Sequence, residues 1–269
     1  FYYPALTVVG AKDSQSFEVF KKLYSFLNIG LHETDIEVAE MMKYASNSWH
    51  ATKITFANEI GMICKKFGID SHEVMDIFCA DTKLNISKYY MRPGFAFGGS
   101  CLPKDVRAIT HISKIQDVNT PLLNSLIPSN TDQIQRIITE FISVHKSKKV
   151  AILGLSFKAG TDDLRESPVL TLAELLIGKG YELEIYDKNV LEAKKKGANT
   201  ALLEGELSHI NERLNGDFQD LTANADILII GNTEKEFRDI QESFSQKVVI
   251  DLMRISKKTS EGNYIGICW

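Results

Sequence analysis

The chain has no apolar run near 18 residues, the length a membrane-crossing helix needs, so no helical membrane span is expected. No secretory signal is expected from its opening residues. None of its four cysteines, Cys64, Cys79, Cys101 and Cys268, stands in a C-x-x-C pair. That spacing suggests neither a zinc site nor a disulfide framework, so no metal is expected. The default reading is a reduced, cytoplasmic protein. Cys64 and Cys79 fall within apolar helical patterns and read as small packed hydrophobes. Basic blocks are scarce too. With a net charge of −4, and only Lys194-Lys195-Lys196 as a short solvated basic face, there is no footprint for nucleic acid.

What is present is ordinary for a globular protein: 44% hydrophobic and 25% charged residues. The 269 residues allow two domains with sizeable cores. PALTVVG, SFEVFKKLYSFL and IGLHET read as strand, helix and strand over 1–33, the expected tail of an α/β domain whose beginning is absent. Thr34 and Glu37 then form a capping box that starts a helix running to Phe67, with Gly68 as its stop. Val38, Met41, Met42, Ala45, Trp49, Phe56, Ile60 and Ile63 recur in it at helical spacing.

A polar pattern runs through the same helix. Lys43, Asn47, His50, Ile54 and Asn58 fall within roughly 80° of one another at about 100° per residue. The stripe carries an amine, two amides and an imidazole but no acid. It reads either as a face turned to water or as one wall of a site. A shorter helix follows from an Asp70–Glu73 capping box to Ala80. Further helices are expected from Pro103 to Ile115 and from Thr120-Pro121 to His145.

Between these helices lies FAFGGSCLPKD, residues 95–105. Glycines at 98 and 99 let the backbone take conformations closed to other residues and let a ligand come close. Lys104 and Asp105 put a charge of each sign near the Cys101 sulfur if a helix begins there. A nearby cation or a helix N-terminus favours the thiolate form of a cysteine. A glycine turn with an incidental cysteine is the plainer reading. Tyr89, Tyr90 and Arg92 beside the loop could stack on a base and hold a phosphate, or could pack at a helix end.

From Lys148 the period changes. VAILGL (150–155), YELEIYD (181–187), DILIIGN (226–232) and KVVIDL (247–252) are apolar runs suited to buried parallel strands. Ser167-Pro168 caps a helix between the first two. Such alternation argues a doubly wound parallel sheet with its ligand crevice at the strand C-termini. Lys158 and Arg165 sit in the first such loop, which lacks both G-x-G-x-x-G and the P-loop pattern.

Three separated motifs now converge: GGSCLPKD, the K-x-x-x-N stripe and GLSFKAGTDDLRESP. Together they resemble the UDP-glucose/GDP-mannose dehydrogenase family, over essentially the whole chain. KYYMRPGFAFGGSCLPKDVRA, NSWHATKITFANEIG and the terminal GICW are most similar to its GDP-mannose branch.

The resemblance implies an α/β protein. A truncated NAD-domain tail (1–33) would precede a central helical dimerisation domain (34–146) and a C-terminal Rossmann-like nucleotide-sugar domain (147–269). The family oxidises a sugar C6 alcohol to a carboxylate with two NAD, through a cysteine thiohemiacetal and thioester, in polysaccharide biosynthesis. Cys101 would then be the nucleophile, Lys43 and Asn47 oxyanion stabilisers, and Asp105 an orienting group. His50, Asn58, Tyr89, Tyr90, Arg92, Phe95, Gly98 and Lys158 would line the substrate, GDP-mannose, and Lys104 and Arg165 would touch NAD. A homodimer sharing its active sites is expected. The glycine fingerprint for NAD and the family's acidic catalytic residue are missing from this sequence, so the chain alone is expected to be inactive. Three rivals remain: a UDP-sugar substrate, a binding and dimerisation module without turnover, and a purely structural helical dimer, against which the Cys-Lys-Asn-Asp set argues.

Overall fold

Strand β1 (Thr7–Gly10) pairs in parallel with β2 (Leu31–Thr34), Thr7 opposite Leu31 and Gly10 opposite Thr34. The crossover between them is α1 (Ser14–Leu23), capped by the Asp13 carboxylate, which accepts from the Ser16 N–H at 2.7 Å. The structure, a computed structural model, describes residues 6–26, 30–87, 90, 93–197, 200–238, 240–256 and 261–268. The chain divides into two units, Phe1–Met75 and Asp76–Trp269.

The first unit continues into α2 (Ile36–Lys66). The expected capping box does not form. Thr34 is taken up by strand pairing, so Asp35 becomes the N-cap, and it makes no side-chain cap bond. The helix stops where expected, with Gly68 at φ +67°. Ile63 and Cys64 are buried, whereas Val38, Met41, Met42, Tyr44, Trp49, Ile54 and Met62 stay exposed. Helix α3 (Ser71–Ala80) follows, with the Asp70 carboxylate accepting from the His72 N–H. Cys79 on α3 is exposed, not packed as expected, because its face of this helix has no covering element among the described residues.

The second unit holds α4 (Leu102–Ile115) and α5 (Pro121–Arg136), the latter continuing through a wider π-helical turn, Ile137–Ile142. Ile134, Ile137, Ile138 and Ile142 are all buried in the core of the following sheet. Burying each such side chain is worth about 1.5–3 kcal/mol, so the helix is anchored on the sheet rather than tethered to it.

That sheet comprises β3 (Lys149–Leu153), β4 (Glu182–Tyr186), β5 (Ile227–Ile230), β6 (Val248–Asp251) and β7 (Tyr264–Gly266), ordered β4-β3-β5-β6-β7 and parallel throughout. Alternate residues feed two cores. Val150, Ile152, Ile229 and Ile250 meet α5 and α6 (Pro168–Gly178) on one face. Ala151, Leu153, Leu228, Ile230 and Val249 meet Leu221, Phe237 and Ile240 on the other. The doubly wound parallel sheet is as the apolar runs imply. The three-residue β7 is too short to show a pattern in the sequence.

Candidate active site

The segment Gly94–Ser100 is fixed from two sides. On one side stands α5. Its Asn130 amide accepts from the Phe97 N–H and donates to the Phe97 carbonyl, both at 2.8 Å. One turn on, Gln133 donates to the Gly94 carbonyl at 2.7 Å. Cys268, near the end of the chain, also reaches the Gly94 carbonyl, Sγ to O at 3.8 Å. Phe95 and Ala96 pack against the sheet core.

On the other side lies the loop after β3. The Gly99 N–H donates to the Glu166 carbonyl at 3.2 Å. A Cβ at Gly98 would stand 2.2 Å from that oxygen and 2.6 Å from Pro168 Cδ. Gly99 has φ +81°, and a Cβ there would meet the Phe157 ring at 2.6 Å. Glycine is therefore required at 98 for contact and at 99 for both contact and conformation.

Cys101 follows as the N-cap of α4, with its side chain exposed. Its carbonyl accepts the Asp105 N–H at 2.9 Å, closing the first helical turn. Ser100 Oγ lies 3.8 Å from the sulfur. Lys104 and Asp105 pair with each other at 3.4 Å. Arg165 is clamped by Asp163 through two 2.9 Å bonds. Those bonds hold its guanidinium above the usual arginine range.

The loop carrying Lys158 and Arg165 is itself supported. Asp187, at the end of β4, is 2% exposed and accepts four backbone N–H groups: Leu155 and Ser156 on one oxygen, Asn189 and Val190 on the other. Glu234, after β5, accepts from the Gly160 N–H and from the Asn189 amide. Asn232 donates to Ser156 Oγ. The whole cluster lies at the C-terminal ends of β3, β4 and β5. β3 has β4 on one side and β5 on the other, so the chain reverses its direction of build there, where such sheets bind ligands.

Of the residues singled out in the sequence, Phe95, Gly98, Cys101, Lys104, Asp105, Lys158 and Arg165 belong to this unit. Lys158 is exposed, while its carbonyl accepts from Thr161. Lys43, Asn47, His50 and Asn58 lie on α2 in the first unit, all exposed. Tyr90 is exposed, at φ +61°. Tyr89 and Arg92 lie outside the described residues. Sequence reasoning missed Asn130, Gln133, Arg107, Glu166 and Asp187. Only the Asn130/Gln133 spacing, one helical turn on α5, offered a local signal. Among the described residues no group of His, Cys, Asp and Glu could hold a metal, and no helix is long and apolar enough to cross a membrane.

Two family patterns match this chain: the UDP-glucose/GDP-mannose dehydrogenase family central domain over residues 37–132 and the same family's UDP binding domain over 151–258. The chain belongs to the UDP-glucose/GDP-mannose dehydrogenase family. A GDP-mannose 6-dehydrogenase of Pseudomonas putida is 52% identical over 99% of this chain. A crystallised GDP-mannose dehydrogenase from Pseudomonas aeruginosa, solved as a ternary complex, is 49% identical and superposes over 100% of the chain with a TM-score of 0.96. A UDP-glucose 6-dehydrogenase of Rickettsia conorii is 31% identical over 95%. The chain spans 61% of the length of the Pseudomonas putida relative and 62% of the crystallised one.

Proposed function

We propose that the protein carrying this chain oxidises the C6 alcohol of GDP-mannose to the carboxylate, as an NAD-dependent nucleotide-sugar 6-dehydrogenase acting in a soluble cytoplasmic setting. The carrying observation is Cys101, exposed at a helix N-terminus on a loop fixed from both sides, in a chain 52% identical to a GDP-mannose 6-dehydrogenase. Identity to the UDP-glucose enzyme is only 31%, which favours the GDP-sugar over the UDP-sugar reading. Residues 34–146 act as the dimerising domain and 147–269 as the nucleotide-sugar domain.

The chemistry follows from sulfur. Removal of hydride and proton from the C6 alcohol leaves an aldehyde. The Cys101 thiolate adds to its carbonyl carbon while the oxygen takes up the proton released in the first oxidation, giving a thiohemiacetal that keeps the sugar in place. Loss of a second hydride and the hydroxyl proton gives a thioester. Water attacks that carbon and gives up its two protons to solvent as the C–S bond breaks, so the carboxylate leaves with the thiolate restored. Lys43 and Asn47 stabilise the oxyanions, and Asp105 orients the attacking water. His50, Asn58, Tyr89, Tyr90, Arg92, Phe95, Gly98 and Lys158 hold the nucleotide sugar.

NAD, when bound, accepts one hydride in each oxidation. The residues present fit only the margin of its site. Exposed Lys104, three residues after Cys101, and exposed Arg165, on the loop after β3, are cations that suit a pyrophosphate, but the sequence holds no G-x-G-x-x-G nest. This chain by itself is therefore expected not to turn over. The exposed apolar residues of α2 support a homodimer, and light scattering that finds monomer at every concentration would remove that part.

The deciding experiment gives full-length enzyme GDP-mannose, UDP-glucose and a UDP-N-acetylhexosamine, and counts NADH per sugar. Two NADH per GDP-mannose, with slower UDP-sugars, is expected. A preference for a UDP-sugar moves the protein to that branch, and wild-type acid formation by Cys101→Ser removes the thioester route.

A further inference from the structure

We infer that the Arg107–Glu166 pair is a positioning device for Cys101, through which the loop after β3 sets the geometry of the reacting sulfur. The inference rests on the reading of Cys101 as nucleophile and goes beyond it. Among the described residues neither side chain is hydrogen-bonded or ion-paired to the sulfur or to a residue assigned to the substrate, yet together they bracket the turn at which α4 begins.

Three observations meet at Glu166. Its backbone stands at φ +50°, a left-handed conformation disfavoured for a residue with a Cβ. Its carbonyl accepts the Gly99 N–H at 3.2 Å and occupies the space a side chain on Gly98 would need. Its carboxylate receives two bonds from the Arg107 guanidinium, at 2.6 and 3.3 Å. Arg107 lies on the first turns of α4, six residues after Cys101. One residue thus grips the chain both before and after the cysteine, by backbone on the glycine side and by side chain on the helix side. The fork of the guanidinium fixes an orientation as well as a distance, which a lone ammonium would not do.

The same loop carries Lys158 and Arg165, the cations placed at substrate and cofactor. The loop is held to the sheet by Asp187 and Glu234. Glu166 is the point where that rigid assembly meets the cysteine turn. Both partners are substantially exposed, with side-chain exposures of 52% for Arg107 and 44% for Glu166. Exposed ion pairs contribute little to global stability. A large catalytic effect with an unchanged melting temperature therefore separates positioning from mere folding support.

The test compares Glu166→Gln, Arg107→Gln and the charge swap Arg107→Glu/Glu166→Arg in full-length enzyme. The expected result is a kcat for GDP-mannose oxidation lower by on the order of 10-fold or more in each single variant, since small misplacements of reacting groups are costly. KM for the sugar stays within about 2-fold, because binding contacts are untouched. The swap recovers a substantial part of kcat. Iodoacetamide alkylation of Cys101, read by mass spectrometry of its peptide, slows in the single variants and recovers in the swap, with Cys79 as internal reference. Wild-type kcat in either single variant, a swap that recovers nothing, or an unchanged Cys101 alkylation rate in both single variants overturns the inference. Cys101→Ser is run alongside. If it retains activity, the nucleophile reading itself fails; if it is inactive while both single variants are unaffected, only the positioning role fails.

Discussion

Asn130 reads Phe97 as a neighbouring strand would, taking its N–H and giving to its carbonyl through one side-chain amide. A loop segment with no strand beside it thereby satisfies both polar groups of a half-buried residue. The loop ends at Cys101, and α5, which supplies Asn130, is anchored by Ile134, Ile137, Ile138 and Ile142 in the sheet core. The order of the cysteine loop is inherited from that core.

Asn130→Ala is accordingly expected to lower stability by about 2 kcal/mol, because it leaves two backbone groups of a half-buried residue without partners. Asn130→Asp keeps the acceptor for the Phe97 N–H but sets an oxygen against the Phe97 carbonyl, and should do no better than alanine. Urea unfolding of the three proteins checks both. An alanine variant as stable as wild type would mean that the loop is held elsewhere.

The loop glycines make a graded series. Gly98→Ala drives a Cβ into the Glu166 carbonyl and should cost about 1–3 kcal/mol by overpacking. Gly99→Ala adds the left-handed penalty to a clash with Phe157. Gly160→Ala is the control: φ is +75°, but nothing lies within 4 Å of its Cβ, so only the conformational cost of about 1–2 kcal/mol remains. Thermal unfolding should rank Gly99→Ala below Gly160→Ala, and the reverse order would contradict the packing described.

Cysteine alkylation should follow exposure. Cys64 is buried and should react only on unfolding, whereas Cys79, Cys101 and Cys268 are exposed and should react in the native protein. In full-length enzyme, GDP-mannose should slow Cys101 and leave Cys79 unchanged. Protection of both, or of neither, would separate Cys101 from the nucleotide-sugar site.

Tyr186 supplies a pH signature. Its phenol is pushed up from 10.0 to about 12, first by burial, then by the charge of Glu236 and the hydrogen bond it donates to that carboxylate. The folded state therefore holds the neutral phenol more tightly than the unfolded state does. The resulting stability is fully present below pH 10 and is lost as pH rises through the window from 10 to about 12. Tyr186→Phe should flatten that part of the stability profile, and phenolate absorbance should show one fewer late-titrating tyrosine in the variant, where Tyr264, also raised by burial, remains. Identical alkaline profiles for both proteins would refute the assignment.

The strands and α6 were legible because their causes are local. VAILGL and DILIIGN are apolar on both faces, and Ser167-Pro168 supplies cap and first turn within two residues, with Ser167 Oγ accepting from the Leu170 N–H. The glycine pair before Cys101 was conspicuous for the same reason. Local rules failed where a residue had two claims on it. Thr34 fits a capping box by spacing, but pairing with Gly10 places it in β2 and passes the cap to Asp35.

By itself the sequence determined the α/β alternation, the doubly wound sheet and the glycine-cysteine turn, since hydrophobic period, caps and glycine placement act over a few residues. Tertiary structure alone decided what holds that turn. Asn130 lies 33 residues from Phe97 and Gln133 39 residues from Gly94, while Glu166 stands 59 residues beyond Arg107. No periodicity links positions so far apart. They meet because burial of α5 against the sheet, and the pinning of the loop after β3 by Asp187, bring the two sides of the cysteine turn within hydrogen-bonding distance.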